Sequence, residues 1–273
     1  MTVMRAMYFS ATGTTKTIVT RIADKMAERG LFKRADTDFT LPAGREKAPA
    51  IRPDEIVVFG VPVYAGRVPN VLLKFLATVK ADGTPAVPVV LYGNRNYDDG
   101  LIELRNILEA NGFRTFAAAA FIGEHSFSRV LAAGRPDDED LRLADIFAMG
   151  AMNKYLICGA DHLPHPVDVK GCDPIRPYYT PRDRAGTPVN ILKVKPKVDP
   201  EKCIRCGHCA AVCPMGSIDP ADITQFTGIC IKCGACEKGC PTGARYFDDP
   251  GYIYHRTELE LGYARRAEPE FFL

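Results

Sequence analysis

Val3-Met4-Arg5-Ala6-Met7-Tyr8-Phe9 runs without a break into Ser10-Ala11-Thr12-Gly13-Thr14-Thr15-Lys16. The first seven residues form a short, mostly apolar run with the composition of a buried strand. The next seven are almost all small, hydroxylated or glycine, and they lead into Ile18, Val19, Ile22 and Met26, whose spacing predicts a helix. Strand, polar loop and helix in that order open an α/β unit. Further strands are predicted at Glu55–Val61, Ala86–Tyr92 and Thr115–Ile122, with a weaker one over Leu31–Phe39. Helical stripes lie between them. One is Val71, Leu72, Phe75, Leu76 and Val79; another is Leu101, Leu104, Ile107 and Leu108, stopped by Asn111-Gly112. A last helix is predicted over Asp137–Tyr155, with acids in its first turn where the helix dipole favours them. Five strands alternating with four helices imply an α/β, doubly wound, five-stranded parallel sheet over residues 1–160.

Residues 161–196 differ in composition. Prolines at 164, 166, 174, 177, 181, 188 and 196 forbid long helices and central strands, so the stretch is read as an ordered or semi-rigid linker. A small module at 197–250 follows, then a tail at 251–273. The module is an internal repeat: Cys203-Ile-Arg-Cys206-Gly-His-Cys209-Ala-Ala-Val-Cys213-Pro214 returns 27 residues later as Cys230-Ile-Lys-Cys233-Gly-Ala-Cys236-Glu-Lys-Gly-Cys240-Pro241. Each copy has the spacing C-x2-C-x2-C-x3-C-P. Three thiolates at that spacing wrap one face of a 4Fe–4S cubane, and the fourth ligates the other cluster. The expected sets are Cys203, Cys206, Cys209 and Cys240 for one cluster, and Cys230, Cys233, Cys236 and Cys213 for the other. Structural zinc also takes four thiolates, but its sites usually pair two C-x2-C knuckles and would leave much of this motif unused.

Composition narrows the function classes. A net charge of +2 offers no electrostatic case for nucleic acid or an anionic membrane surface. No apolar run approaches a membrane span, and the start lacks signal-peptide organisation, so no membrane insertion and a cytoplasmic location are expected. Eight of the ten cysteines crowd between Cys203 and Cys240, which argues for metal thiolates rather than disulfides.

The loop Ser10, Ala11, Thr12, Gly13, Thr14 and Thr15 lacks the closing Gly-Lys-Ser/Thr of a nucleoside-triphosphate loop and the G-x-G-x-x-G of a dinucleotide fold. It resembles the flavodoxin phosphate loop, S/T-x-T-G-x-T, which holds the 5′-phosphate of FMN. Loops after the third and fourth strands, from Val61 to Pro69 and from Gly93 to Asp99, lie where ligands bind in such sheets. The resemblance implies that Pro62, Val63, Tyr64, Gly93, Asn94 and Tyr97 surround the flavin ring, with Tyr64 and Tyr97 as ring neighbours. The cysteine module looks like a bacterial two-cluster ferredoxin, an α+β fold. It lacks the strongly acidic surface usual in free ferredoxins, since residues 197–250 hold six Lys/Arg against seven Asp/Glu. Together the two halves are similar to flavodoxin–ferredoxin fusion proteins, iron–sulfur flavoproteins of anaerobes.

That resemblance implies FMN and two 4Fe–4S clusters as cofactors, and an electron carrier working between redox protein partners. The alternative is an FMN-dependent reductase of a small-molecule acceptor such as a quinone, nitro compound or enone. A redox sensor signalling through cluster loss is a weaker third. His125, in Glu124-His125-Ser126 after the fifth strand, is a candidate proton donor or plain loop structure. His208 is expected beside a cluster but not as a ligand. Arg67 and Arg95 can face reduced flavin or only solvent. Cys158 and Cys172 are expected as small buried residues. Tyr252-Ile253-Tyr254 can add a strand or pack between domains, and Phe271-Phe272-Leu273 can be disordered or a docking anchor.

Overall fold

The computed structural model describes residues 2–273. Its main sheet is built from β1 (Val3–Tyr8), β2 (Lys33–Asp38), β3 (Glu55–Pro62), β4 (Pro85–Tyr92) and a last parallel position split into β5 (Arg114–Thr115) and β6 (Ala118–Ile122). The parallel order is β2-β1-β3-β4-β6, with β5 also on β4. This is the flavodoxin-like doubly wound arrangement, whose switch point lies between β1 and β3. Period-2 alternation sends Met4, Ala6, Tyr8, Ile56, Val58, Val87 and Val89 to one face and Met7, Phe9, Val57, Phe59, Val61 and Val90 to the other. The first face is covered by α1 (Thr14–Gly30) and α4 (Asp138–Cys158), the second by α2 (Leu73–Leu76) and α3 (Gly100–Ala110).

Two elements depart from the sequence pattern. The stripe Val71–Val79 packs as expected, but only four of its residues are α-helical. A 3-10 turn at Asn70–Leu72 precedes them, and the last turn closes with amides of Thr78 and Val79 donating three residues back while the Thr78 hydroxyl donates to Phe75 O. The weak strand at Lys33–Asp38 is an edge strand, which accounts for its charged composition.

Residues 163–196 form no helix or strand element, yet they lie fastened along the flavodoxin-like unit. Val167 and Val169 enter its core, the Val167 amide donates to Thr115 O, and the Tyr178 hydroxyl donates to Val68 O. Buried Asp99 accepts from the Cys172 and Arg176 amides at 3.0 and 2.8 Å and from the Arg176 guanidinium at 2.5 and 2.9 Å. The Arg176 guanidinium, with those amides, draws the Asp99 carboxyl down to about 2 against the opposing effect of burial. A carboxylate held below its ordinary value stabilises the folded strap at neutral pH, and that contribution is lost as pH falls from about 4 toward 2. Asp99→Asn should loosen the strap by about 1–3 kcal/mol, read as faster proteolysis within 163–196 at neutral pH while the core resists. Equal protease resistance would contradict the fastening.

The small module contains α5 (His208–Ala211), α6 (Ala235–Lys238) and a two-stranded antiparallel ribbon of β7 (Lys197–Val198) and β8 (Arg245–Tyr246). The tail then differs from a strand at Tyr252-Ile253-Tyr254, which lie in α7 (Pro250–Gly262), capped by the Asp249 side chain. Beyond it β9 (Glu270–Phe272) pairs antiparallel with β6, so Phe271 and Phe272 are ordered and cover the open edge of the main sheet. Phe271 packs on Phe121 and Phe147 at 5.5 and 5.3 Å. The chain therefore leaves the flavodoxin-like unit, forms the small module and returns. Of the two cysteines outside that module, Cys158 packs half-buried behind the sheet, whereas Cys172 is exposed in the strap, contrary to a buried role.

Candidate functional site

The loop between β1 and α1 leaves donors without acceptors. Among the described residues, none accepts from the amides of Thr12, Gly13, Thr14 or Thr15, which stand at the N-terminus of a 17-residue helix. Converging free amides at the positive end of a helix dipole suit a phosphate. Gly13, with φ 90°, turns the chain into the helix in a conformation that side-chain-bearing residues rarely adopt. Ser10 props the loop instead of facing it: its amide donates to Thr40 Oγ1, and its hydroxyl accepts from the Lys16 amide at 2.9 Å.

Two further loops close over the same strand ends. Val63 N donates to Leu91 O, and Tyr64 and Arg67 exchange backbone hydrogen bonds across a turn whose central Ala65 and Gly66 both have positive φ. Arg67 is held by Glu103 in a bidentate pair at 2.6–2.7 Å, and Arg95 pairs with Asp98 while lying over the Tyr179 ring. Gly93 lies so close to His125 that an added Cβ would come within 2.3 Å of the ring. Ala11, Thr12, Thr14, Thr15, Pro62, Val63, Tyr64 and Gly93 line a cavity of about 60 Å³, and its wall continues through Tyr92, His125 and Cys233. An adjoining chamber of about 220 Å³ shares Val63, Tyr64, Tyr92, Gly93, His125 and Ser126 and is covered by Tyr179, Leu192, Ile231, Lys232, His255 and Leu259. A polar cavity beside the free amides, adjoining a mostly apolar chamber, suits a ligand with an anionic end and an apolar ring, such as FMN.

Asn94 and Tyr97, expected around the ring, have their polar groups engaged by the returning tail. The Asn94 amide donates to Tyr263 O and Arg265 O, and its oxygen accepts from the Ala267 amide; the Tyr97 hydroxyl donates to Glu270. Both hold the returning tail, and neither lines the two cavities. Tyr92, packed on Tyr97 at 5.5 Å, is the aromatic that reaches the cavities from this strand end. Its only signal in the sequence was its place as the last residue of an apolar run.

His125 has its ring nitrogens assigned by its surroundings. Nδ1 accepts from the Phe127 amide at 3.1 Å, so Nε2 carries the proton. Burial, with the charges of Lys238, His255 and Arg95, pushes its pKa down to about 3 and keeps the ring neutral. Burial likewise drives the Tyr64 hydroxyl well above its usual range, Cys233 and Cys230 adding to the shift.

None of the ten cysteines is joined to another in a disulfide. Cys213, Cys230, Cys233 and Cys236 line one small, mostly apolar pocket, and Cys203, Cys206, Cys209 and Cys240 line another. The repeat is mirrored in backbone geometry: Arg205 and Lys232 have φ 53° and 54°, and Gly207 and Gly234 have φ 73° and 79°. Amides of Ser217 and Ala244, 27 positions apart, donate to Cys213 Sγ and Cys240 Sγ at 3.4 and 3.2 Å. Thiols so spread, with backbone donors on sulfur, fit two polynuclear sulfur-bridged clusters. Among the described residues no three His, Cys, Asp or Glu gather closely enough for a single metal ion. Cys206 is exposed, whereas Cys233 is buried and lines both its cluster pocket and the 60 Å³ cavity.

The small module is clamped to the loop after β6. Lys238 Nζ donates to the Glu124 carboxylate, and to His125 O and Ser128 O at 2.7 Å each. Gly234 approaches Ser126 O so closely that an added Cβ would lie 2.6 Å away. On the other side Arg45 donates to Pro214 O, and Lys232 to Leu192 O. Lys238→Met removes the charged donor and should weaken docking by about 1.5–3 kcal/mol. Faster hydrogen exchange over residues 124–128, with iron and flavin content unchanged, is the expected reading.

Family models place a flavodoxin domain at residues 6–92 and 4Fe-4S binding domains at residues 195–218 and 224–246. A search among curated proteins gives no match. Solved structures similar to the chain include a flavodoxin from the domain Archaea, at 14% identity and TM-score 0.41, covering 56% of this chain and 98% of that one. Oxidised Flavodoxin 1 from Bacillus cereus has 16% identity and TM-score 0.42, with 56% and 98% covered. The apo form of an NADH:FMN oxidoreductase has 13% identity and TM-score 0.41, with 56% and 88% covered.

Proposed function

We propose that this flavodoxin–ferredoxin fusion, with sites for FMN and two 4Fe–4S clusters, relays single electrons between redox protein partners and its flavin through a fixed path. FMN supplies the exchange between one- and two-electron chemistry, and each cluster stores one electron. The observation that carries the reading is the wall that Cys233 shares between a four-cysteine pocket and the cavity of Thr12, Thr15, Tyr64 and His125. The assigned ligand sets are Cys213, Cys230, Cys233 and Cys236 inside, and Cys203, Cys206, Cys209 and Cys240 outside, where exposed Cys206 and Ile204 (65% exposed) would meet a partner. The proposed domain limits are 1–160, 161–196, 197–250 and 251–273. The strap, the Lys238 clamp and the returning β9 hold the small module at both its ends, which favours a fixed relay over shuttling.

One observation favours a second reading, reduction of a small acceptor. The chamber of about 220 Å³ is lined by the neutral His125 with its Nε2 proton, by aromatic rings and by Lys232 and Arg95. Turnover of a quinone, nitro compound or enone with reduced protein would support it. No helix is long and apolar enough to cross a membrane among the described residues.

The test is anaerobic iron, acid-labile sulfide and flavin per chain, followed by stopped-flow reduction. About eight irons, eight sulfides and one FMN, with a cluster-to-flavin step first-order and independent of protein concentration, is expected. A step that scales with protein concentration would mean transfer between molecules and sink the fixed path.

A further inference from the structure

The two cysteine pockets descend from one repeated pattern, so what differs between them is informative. Positions 27 apart carry the same residue types through most of the motif: Arg205 matches Lys232, Gly207 matches Gly234, and Gly216 matches Gly243. Arg205 and Lys232 are cations at matched positions with matched backbone, and Lys232 also lines the pocket of Cys213, Cys230, Cys233 and Cys236. Other pairs differ as well, among them His208 against Ala235 and Met215 against Thr242, but Ile218 against Arg245 sets an apolar side chain against a buried guanidinium. Both side chains are buried, at 3% exposure each, and each lines the pocket of the other copy's three-cysteine run: Ile218 beside Cys230, Cys233 and Cys236, Arg245 beside Cys203, Cys206 and Cys209. One pocket has an isoleucine where the other has a guanidinium.

Arg245 has no carboxylate among its partners. It donates to Ile223 O, to Pro196 O at 3.4 Å and to Cys209 Sγ at 3.4 Å; it lies over the Phe226 ring, and its Nε is buried without a partner. A buried cation left without a counter-ion is strongly destabilising, so the pocket itself must supply the negative charge. Four thiolates around an iron–sulfur core are such an anion. Reduction adds one electron and no proton to that site, making it one unit more negative. A fixed positive charge at its edge stabilises the reduced state more than the oxidised one.

We propose that Arg245 sets the reduction potential of the outer site, held by Cys203, Cys206, Cys209 and Cys240, above that of its inner twin, where Ile218 takes its place. The proposal rests on the two-cluster reading above. It makes the outer site the place where an arriving electron rests, and the inner site the lower-potential step toward the flavin.

The experiment is an EPR-monitored redox titration with dithionite of the full-length protein, the Arg245→Leu and Arg245→Gln variants, and Arg245→Lys. Each sample is first assayed for iron; fewer than eight irons in the unaltered protein would count against the two-cluster reading, separately from this proposal. In either neutral variant the higher of the two potentials should fall. The expected change is at least tenfold in the one-electron equilibrium constant, about 59 mV. The lower potential should move less, and Arg245→Lys should keep most of the original separation. Unchanged potentials in the neutral variants, or a lysine variant displaced as far as they are, would overturn the proposal. Loss of about four irons from both neutral variants would overturn it as well, making Arg245 a support of the cluster loop.

Discussion

Replacing Cys233 by alanine should remove about four of the eight irons expected from two such clusters and disconnect the flavin from the outer cysteine site. Cys233 is the point where the two halves of the proposed path meet: its side chain borders both the pocket shared with Cys213, Cys230 and Cys236 and the cavity beside Tyr64 and His125. A cluster with three ligands at a site built for four loses iron or is not assembled. The flavin cavity, bounded elsewhere by the main sheet's loops, should still fill. The variant should therefore contain flavin that light or dithionite reduces directly. A one-electron protein donor should reduce it at least about 100-fold more slowly, the equivalent of about 2.7 kcal/mol in barrier. Full iron with unaltered flavin reduction would show that the electron path does not pass Cys233.

Thr12→Glu should expel FMN while leaving the fold intact. Thr12 is exposed at the mouth of the cavity, so a longer side chain there costs the core nothing. Its carboxylate would stand among the unpaired amides of Thr12 to Thr15, satisfying them and repelling a phosphate. Like-charge juxtaposition costs several kcal/mol, so FMN affinity should fall by about 100-fold or more. Fluorescence titration of the apoprotein with FMN measures this, and iron content checks that the small module is undisturbed. Thr12→Ser, which keeps the hydroxyl and the charge, should bind nearly as well as the parent. If the glutamate variant bound FMN normally, the phosphate would have to lie elsewhere.

The parallel sheet was readable because buried strands write themselves as continuous apolar runs, as in Glu55–Val61 and Ala86–Tyr92. Lys33–Asp38 was faint for the opposite reason: with one neighbour and solvent alongside, an edge strand carries charge. Asn94 and Tyr97 show the limit within the candidate site. Both follow the correct strand end, but their polar groups are taken by Tyr263, Arg265, Ala267 and Glu270, more than 160 positions away. Tyr92 reaches the cavities instead, and no local pattern distinguishes it from Tyr97.

The sequence by itself determined the αβ alternation, the hydroxyl-rich loop at the head of α1 and the spacing of two cysteine runs, because each depends on neighbours a few residues apart. Only the tertiary structure decided what faces what. It fastened the strap through Asp99 and Arg176, returned Phe271 and Phe272 to the edge of β6, and seated Lys238 against the loop of His125. It also made Cys233 part of the wall of the cavity beside Tyr64 and His125 and left Arg245 buried beside Cys209 with no carboxylate. These contacts join positions far apart in the chain through packing and charge, which leave no period in the sequence.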